Sequence, residues 1–186
     1  MKKIYLDVGA HDGEYGIRVC SDANNIVYAF EPTPHMINII ESKTSGFNNY
    51  HLIKKAVSDY NGKDTFNVSV GDYGCSSLLE FSEKNKTEWG PERYNCPDPV
   101  KIEVDVITLD KFCEGMDLRV LKGLGDRISI VEEGVMEAAI KQDVLYRGQN
   151  MKDECVEWLE SNNFIITRIE NNDFHGNEIN IYFKRK

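Results

Sequence analysis

The chain is short of basic charge. Its 22 lysines and arginines stand against 31 aspartates and glutamates, a net charge of −9 over 186 residues. That balance removes the usual electrostatic footprint for a phosphate backbone, so no nucleic-acid partner is expected. The terminal Lys184-Arg185-Lys186 follows a strand pattern and reads as a solvated end. Long apolar runs are missing too: none approaches the roughly 18 residues of a membrane helix. Met1-Lys2-Lys3 passes straight into a strand pattern with no signal-peptide core, so a cytoplasmic protein without a membrane partner is expected. Five cysteines, at 20, 75, 96, 113 and 155, are scattered without a CxxC pair, and the four histidines do not cluster with them. This spacing argues against a zinc site, or any metal, and for reduced thiols. There is no internal repeat and no low-complexity tract. The length suits one domain over residues 1–186.

What is present is an alternating pattern. Residues 3–8 read as a buried strand, 13–22 as a short helix with Ile17 and Cys20 on one face, and 26–30 as a second strand. Pro32-Thr33-Pro34 opens a helix to about Lys43, since proline suits a first turn. Leu52 to Val57 reads as a third strand. This β-α-β-α-β order predicts a parallel sheet with right-handed crossovers. Thr65 to Val70 and Val100 to Ile107 alternate as strands and are expected to pair antiparallel. Residues 82–99, with three prolines, Trp89 and Tyr94, read as a long loop able to cover a substrate. Residues 117–124 read as a short helix, 128–132 as a buried strand, Asn150 onward as an amphipathic helix, and 164–169 and 179–183 as the last strands.

The first strand ends in Asp7 and runs into Gly9-Ala-His-Asp-Gly13; the second ends in Glu31. In open α/β sheets the carboxyl ends of strands present ligand-binding groups. Gly9 allows a tight turn and Gly13 opens the helix. A carboxylate at Glu31 is placed to accept hydrogen bonds from the hydroxyls of an adenosine ribose. A dinucleotide fingerprint would read G-x-G-x-x-G, yet His11 holds the position of the second glycine. Asp7, Asp12 and Glu14 crowd the turn, a poor host for pyrophosphate and a good one for a sulfonium and an amino group. The residues therefore favour S-adenosylmethionine over NAD, with an NAD-linked oxidoreductase as the rival.

Asp7-Val-Gly-Ala-His-Asp-Gly13, Tyr28-Ala-Phe-Glu-Pro32, Lys55-Ala-Val-Ser58, Gly74-Cys-Ser-Ser-Leu78, Val106-Ile-Thr-Leu-Asp110 and Glu114-Gly-Met-Asp-Leu-Arg-Val-Leu-Lys-Gly123 occur in that order. Together they resemble the FkbM-type S-adenosylmethionine-dependent methyltransferases from residue 3 to about 185. The resemblance implies an α/β class I methyltransferase (Rossmann-like) fold: a mostly parallel sheet, helices on both faces and an antiparallel hairpin insertion. It also implies O-methylation of a hydroxyl on a sugar, glycan or small natural product. On it, Asp7, Gly9, Ala10, His11 and Gly13 line the methionine part of the cofactor, and Glu31 holds the ribose. Ala56 and Val57 approach the adenine. Ser76, with Ser77, lies near the cofactor or the substrate mouth, unless the two hydroxyls only bond within a turn. Where the family usually carries asparagine, this chain has His11. Only Lys111-Phe112-Cys113 separates Asp110 from Glu114, where the family has a helix and a central strand. A shortened or missing fourth strand is expected, and the alternative is a catalytically impaired relative that binds the cofactor as an interaction module. No catalytic base is assigned; Glu132, Glu133 and His35 are the candidates.

Overall fold

The computed structural model describes residues 3–82, 99–113, 131–141, 151–172 and 177–186. The expected helix at 117–124 and nearly all of the 82–99 loop lie outside these residues. So do Asn150, the Glu114-Gly…Lys-Gly123 motif and most of the turn expected after Asn171. The contacts fall into two units, one of Met1–Leu78 with Asp98–Gly115, the other of Leu79–Pro97 with Met116–Lys186.

The first unit opens with β1 (Lys3–Val8), α1 (Glu14–Cys20), β2 (Asn25–Phe30), α2 (Pro34–Thr44) and β3 (Tyr50–Ile53). The strands form a wholly parallel sheet in the order β1-β2-β3, as the alternating pattern requires. Successive strand residues face opposite sides. Val27 and Ala29 meet Cys20 of α1 and Ile40 of α2 in one fully buried cluster. Tyr28 and Phe30 face the other way, where the Phe112 ring stands edge-on to both at 5.5 and 4.8 Å. Phe112 belongs to α3 (Leu109–Cys113), so helices cover both faces of this sheet.

The strand expected over 52–57 is two strands. Glu31 N–H and Lys55 N–H both donate to Ile53 O, at 3.1 and 2.9 Å, and the chain steps sideways over Lys54-Lys55. Exposed Lys54 reaches Glu41 at 2.7 Å. Beyond the step, β4 (Ala56–Val57) joins a second sheet of order β4-β6-β5. Here β5 (Gly62–Val68) pairs antiparallel with β6 (Val100–Ile107), as the alternation predicted. Val104 and Val106 are buried with Ala56, Phe66 and Val68, while Lys101, Glu103 and Asp105 are exposed. Directly after β6, the Thr108 hydroxyl accepts the Lys111 N–H at 3.1 Å, a capping bond that starts α3. The chain thus enters a one-turn helix where the family's longer segment would stand. Among the described residues, β1 is hydrogen-bonded to β2 alone.

The second unit is an antiparallel sheet, β7 (Glu133–Ala139), β9 (Glu178–Arg185) and β8 (Phe164–Asn171), with β9 central. Most of the strand expected over 128–132 lies outside the described residues, and its last two, Val131 and Glu132, stand ahead of β7. The place of β7 on β9 rests on a glycine-aromatic fit. A β-carbon at Gly134 would stand 2.5 Å from the Phe183 ring, so the missing side chain is what lets β7 take its register on β9. Gly134→Ala is expected to destabilise the protein by about 1–3 kcal/mol; urea unfolding measures it, and an unchanged midpoint would refute the fit. Helix α4 (Lys152–Ser161) lays Cys155 and Leu159 on Phe164, Ile179 and Ile181. Leu159, Phe164 and Ile181 are fully buried, each contributing about 1.5–3 kcal/mol. Trp158 on the same helix is 44% exposed. Asn163, at φ 67, ends the helix in the left-handed conformation that asparagine tolerates.

Candidate cofactor site

Between β1 and α1 the chain folds back over residues 9–13. Gly9, His11 and Gly13 all have left-handed backbones, at φ 72, 53 and 79. Glycine adopts this freely. Among side-chain-bearing residues, asparagine and histidine are enriched there. This accounts for His11 at a position where the family usually carries asparagine: the backbone asks for a tolerant residue more than for an amide.

Nearly every amide of the turn is used internally. Gly9 N–H and Ala10 N–H both donate to Phe30 O at 3.0 Å, and Gly13 N–H donates to Ala10 O at 2.8 Å. Glu14 N–H donates to Asp12 Oδ1 at 3.2 Å. His11 N–H donates to Glu31 Oε2 at 2.9 Å, and Thr33 N–H to Glu31 Oε1 at 2.8 Å. Glu31, only 5% exposed, therefore clasps the turn to the end of β2. An ionised carboxylate offers about four lone-pair sites, so two remain for further donors.

Lys43, in the last turn of α2, reaches across to Asp12, with Nζ 2.6 Å from Oδ2 and 3.2 Å from the Asp12 carbonyl. The Lys43 ammonium holds the Asp12 carboxyl below its usual range. A depressed carboxyl adds stability above its unfolded pKa and loses it as pH falls through the folded value. The pair is solvent-exposed, so Lys43→Ala is expected to cost less than about 1 kcal/mol at pH 7. In urea melts across pH, that difference should vanish once Asp12 is protonated; a difference that persists in acid would show another role for Lys43.

Asp7 is the penultimate residue of β1, just before the turn. Its Oδ2 is buried and has no hydrogen-bond partner among the described residues. Burial raises its pKa, the Gly16 amide opposes this, and the Glu31 charge adds to it. Tyr50, which the sequence reading did not single out, lies on the same spot, and its buried hydroxyl is likewise unpartnered among the described residues. Gly16 offered a faint signal, a glycine inside a short helix; Tyr50 offered none.

The structure therefore joins Asp7, Gly9, Ala10, His11, Gly13 and Glu31 around the end of β2. Ala56, Val57 and Ser76 are engaged in the second sheet. Ala56 is opposite Val106 and buried, and Val57 is opposite Ile107. Ser76 Oγ accepts the Ser69 N–H at 3.0 Å, the turn bonding weighed as its alternative role. Of the candidate bases, exposed His35 stacks on Tyr73 with ring centroids 4.8 Å apart. Glu132 and Glu133 are exposed in the second unit. Among the described residues no cluster of three or more His, Cys, Asp or Glu side chains could hold a metal, and no helix is long and apolar enough to cross a membrane.

The donor set discriminates between cofactors. A pyrophosphate needs free amides at the turn. Here the amides of Gly9, Ala10, His11, Gly13 and Glu14 already donate within the protein. What the turn can offer is acceptors, which suit an ammonium, a sulfonium and ribose hydroxyls. The parallel sheet with its acidic glycine turn defines a class I, Rossmann-like methyltransferase fold. The chain belongs to the FkbM methyltransferases: the family described as "Methyltransferase FkbM domain" matches residues 7–166. It is an S-adenosylmethionine-dependent methyltransferase. No curated protein matches it. Several solved structures are similar at low identity. An rRNA methylase from Streptococcus thermophilus is 12% identical, over 99% of this chain and 88% of the other, with a TM-score of 0.46. M. capricolum TrmK, in complex with S-adenosylhomocysteine, is 13% identical over 100% of this chain and 63% of the other, with a TM-score of 0.45. Precorrin-6y C5,15-methyltransferase from Geobacter metallireducens is 15% identical over 100% and 80%, with a TM-score of 0.43.

Proposed function

We propose that the protein transfers a methyl group from S-adenosylmethionine to a hydroxyl of a sugar, glycan or small natural product, working as a single domain over residues 1–186. One observation carries the site: Glu31 and the glycine turn form one hydrogen-bonded body that presents acceptors rather than amides. The family match runs through both units, which supports the single-domain reading. S-adenosylmethionine, when bound, supplies an electrophilic methyl group. Asp7, Gly9, Ala10, His11 and Gly13 hold the end bearing the sulfonium and amino acid, and Glu31 takes the ribose hydroxyls on its free lone pairs. Ala56 and Val57 approach the adenine, and Ser76 lies near the cofactor or the substrate mouth. Holding donor and acceptor in line supplies several kcal/mol of the acceleration through alignment alone. The acidic net charge favours a small acceptor over a nucleic acid, and the scattered thiols suit a reducing cytoplasm.

The short passage Lys111-Phe112-Cys113 favours a second reading, a cofactor binder with impaired chemistry, because α3 fills the space in sequence where the family's central strand would begin. One experiment tests the proposal. Incubation with cofactor labelled on its methyl group, across glycan and natural-product panels, should label a hydroxyl-bearing acceptor. Tight cofactor binding with no labelled product on any panel would favour the second reading. Labelled RNA as the sole product would overturn the choice of acceptor.

A further inference from the structure

A buried polar pair lies against α1, and the cofactor clasp does not use it. A β-carbon built at Gly16 would stand 2.6 Å from the Tyr50 ring, 3.0 Å from Val27 and 3.2 Å from Asp7 Oδ2. One at Gly13 would stand 3.0 Å from the Tyr50 hydroxyl. Asp7, Tyr50 and the two glycines thus share one packed spot between the turn, the helix and the sheet. The buried Asp7 oxygen and the Tyr50 hydroxyl are both unpartnered among the described residues, and Tyr50 is only 7% exposed. Unsatisfied buried polar atoms are rare in native proteins because each costs stability, so two in contact with one turn call for a reason.

The surroundings explain which form of Asp7 is cheaper. The charged or titratable groups around the pair are Glu31 at the end of β2, Asp12 in the turn, Tyr50 at the start of β3 and Cys20 at the end of α1. Asp12 is already neutralised by Lys43. Val27 from β2 and Ile40 from α2 complete the packing with apolar atoms. No positive side chain faces Asp7 in this set. Burial disfavours its carboxylate, and the nearby Glu31 charge adds repulsion. A cation arriving at the turn reverses that balance.

We propose that Asp7 makes S-adenosylmethionine binding proton-linked: its half-buried position, with one oxygen enclosed and unpartnered among the described residues, favours the neutral carboxyl in the free protein, and binding of the cationic cofactor favours the carboxylate, with the proton released to solvent. The complex then holds a carboxylate that the Gly16 amide stabilises. S-adenosylhomocysteine carries the same amino and carboxyl groups but no sulfonium charge, so it drives less release. The enzyme would thereby prefer substrate cofactor over product cofactor increasingly as pH rises. The inference rests on the glycine turn being the cofactor site.

Calorimetry of both ligands in buffers of different ionisation heat tests this on the intact protein. Proton release with S-adenosylmethionine should exceed that with S-adenosylhomocysteine. Below the carboxyl's titration in the free protein, the affinity ratio of the two should fall by up to about tenfold per pH unit. Asp7→Asn, which keeps the shape and stays neutral, should bind both ligands with a pH-independent ratio. Buffer-independent heats for the wild type, or undiminished release from Asp7→Asn, would overturn the linkage while leaving the site intact. Unchanged S-adenosylmethionine affinity in Glu31→Ala would instead remove the site itself.

Discussion

Glu31→Ala is expected to reduce S-adenosylmethionine affinity by at least about 100-fold and to destabilise the free protein by about 3 kcal/mol. The two effects have separate sources. The carboxylate accepts the amides of His11 and Thr33 in a nearly buried setting, and removing it strands both donors. Hydrogen bonds to a charged group contribute roughly 1.5–3 kcal/mol each, so a loss near the lower end of the pair's sum is expected once the turn relaxes. The affinity loss adds the missing acceptor for the ribose to the misplacement of the turn. Glu31→Gln separates them. Glutamine keeps the size and one acceptor, but its amide nitrogen must face one of the two N–H donors. It should cost about half as much stability and still bind weakly. Urea unfolding gives the first quantity and calorimetry, at a temperature where both variants are folded, gives the second. An alanine variant that unfolds early yet binds normally would leave Glu31 as a clasp with no ribose role.

Gly13→Ala should be the most damaging change within the turn, and Gly9→Ala much milder in stability. Both glycines are left-handed, at φ 79 and 72, so alanine is strained at either by about 1–2 kcal/mol. Only Gly13 is also packed: a β-carbon there meets the Tyr50 hydroxyl at 3.0 Å and Ile40 at 3.1 Å, whereas at Gly9 it meets nothing within 4 Å. Crowding of this kind adds about 1–3 kcal/mol, for a total of roughly 2–5 at Gly13. Gly13→Ala should also weaken cofactor binding, since moving Tyr50 or Ile40 shifts the floor of the turn. Equal destabilisation by the two variants, read from thermal melts, would show that Gly13 is not held by these neighbours.

Much of the cofactor half was legible because its signals are local. Asp7, Gly9 and Glu31 sit at strand ends and Gly13 at the start of α1, where the alternation of apolar segments fixes their place beside a parallel sheet. Val100 to Ile107 declared its two faces by strict alternation, and the pairing with β5 followed. The misreadings came from partners distant in sequence. Leu52–Val57 has the composition of a single strand, but the Ile53 carbonyl takes two amides and hands the chain to another sheet. The sequence pattern does not mark residues 133–139 as a strand, and Gly134 takes its place on β9 only against the Phe183 ring. The acid-rich turn suggested a free negative field, yet Lys43, 31 residues away, neutralises Asp12.

The amino-acid order alone determined the class of cofactor, the acidic glycine turn and the β-α-β-α-β run, because periodicity, left-handed glycines and strand-end carboxylates are properties of neighbours in the chain. Only the tertiary structure decided how those carboxylates divide their work. Glu31 became a clasp, Asp12 an ion pair and Asp7 a half-buried acid with one enclosed oxygen. The physical reason is that a carboxylate's role depends on which amides, cations and apolar atoms surround it, and these arrive from α1, α2 and β3 only when the chain folds.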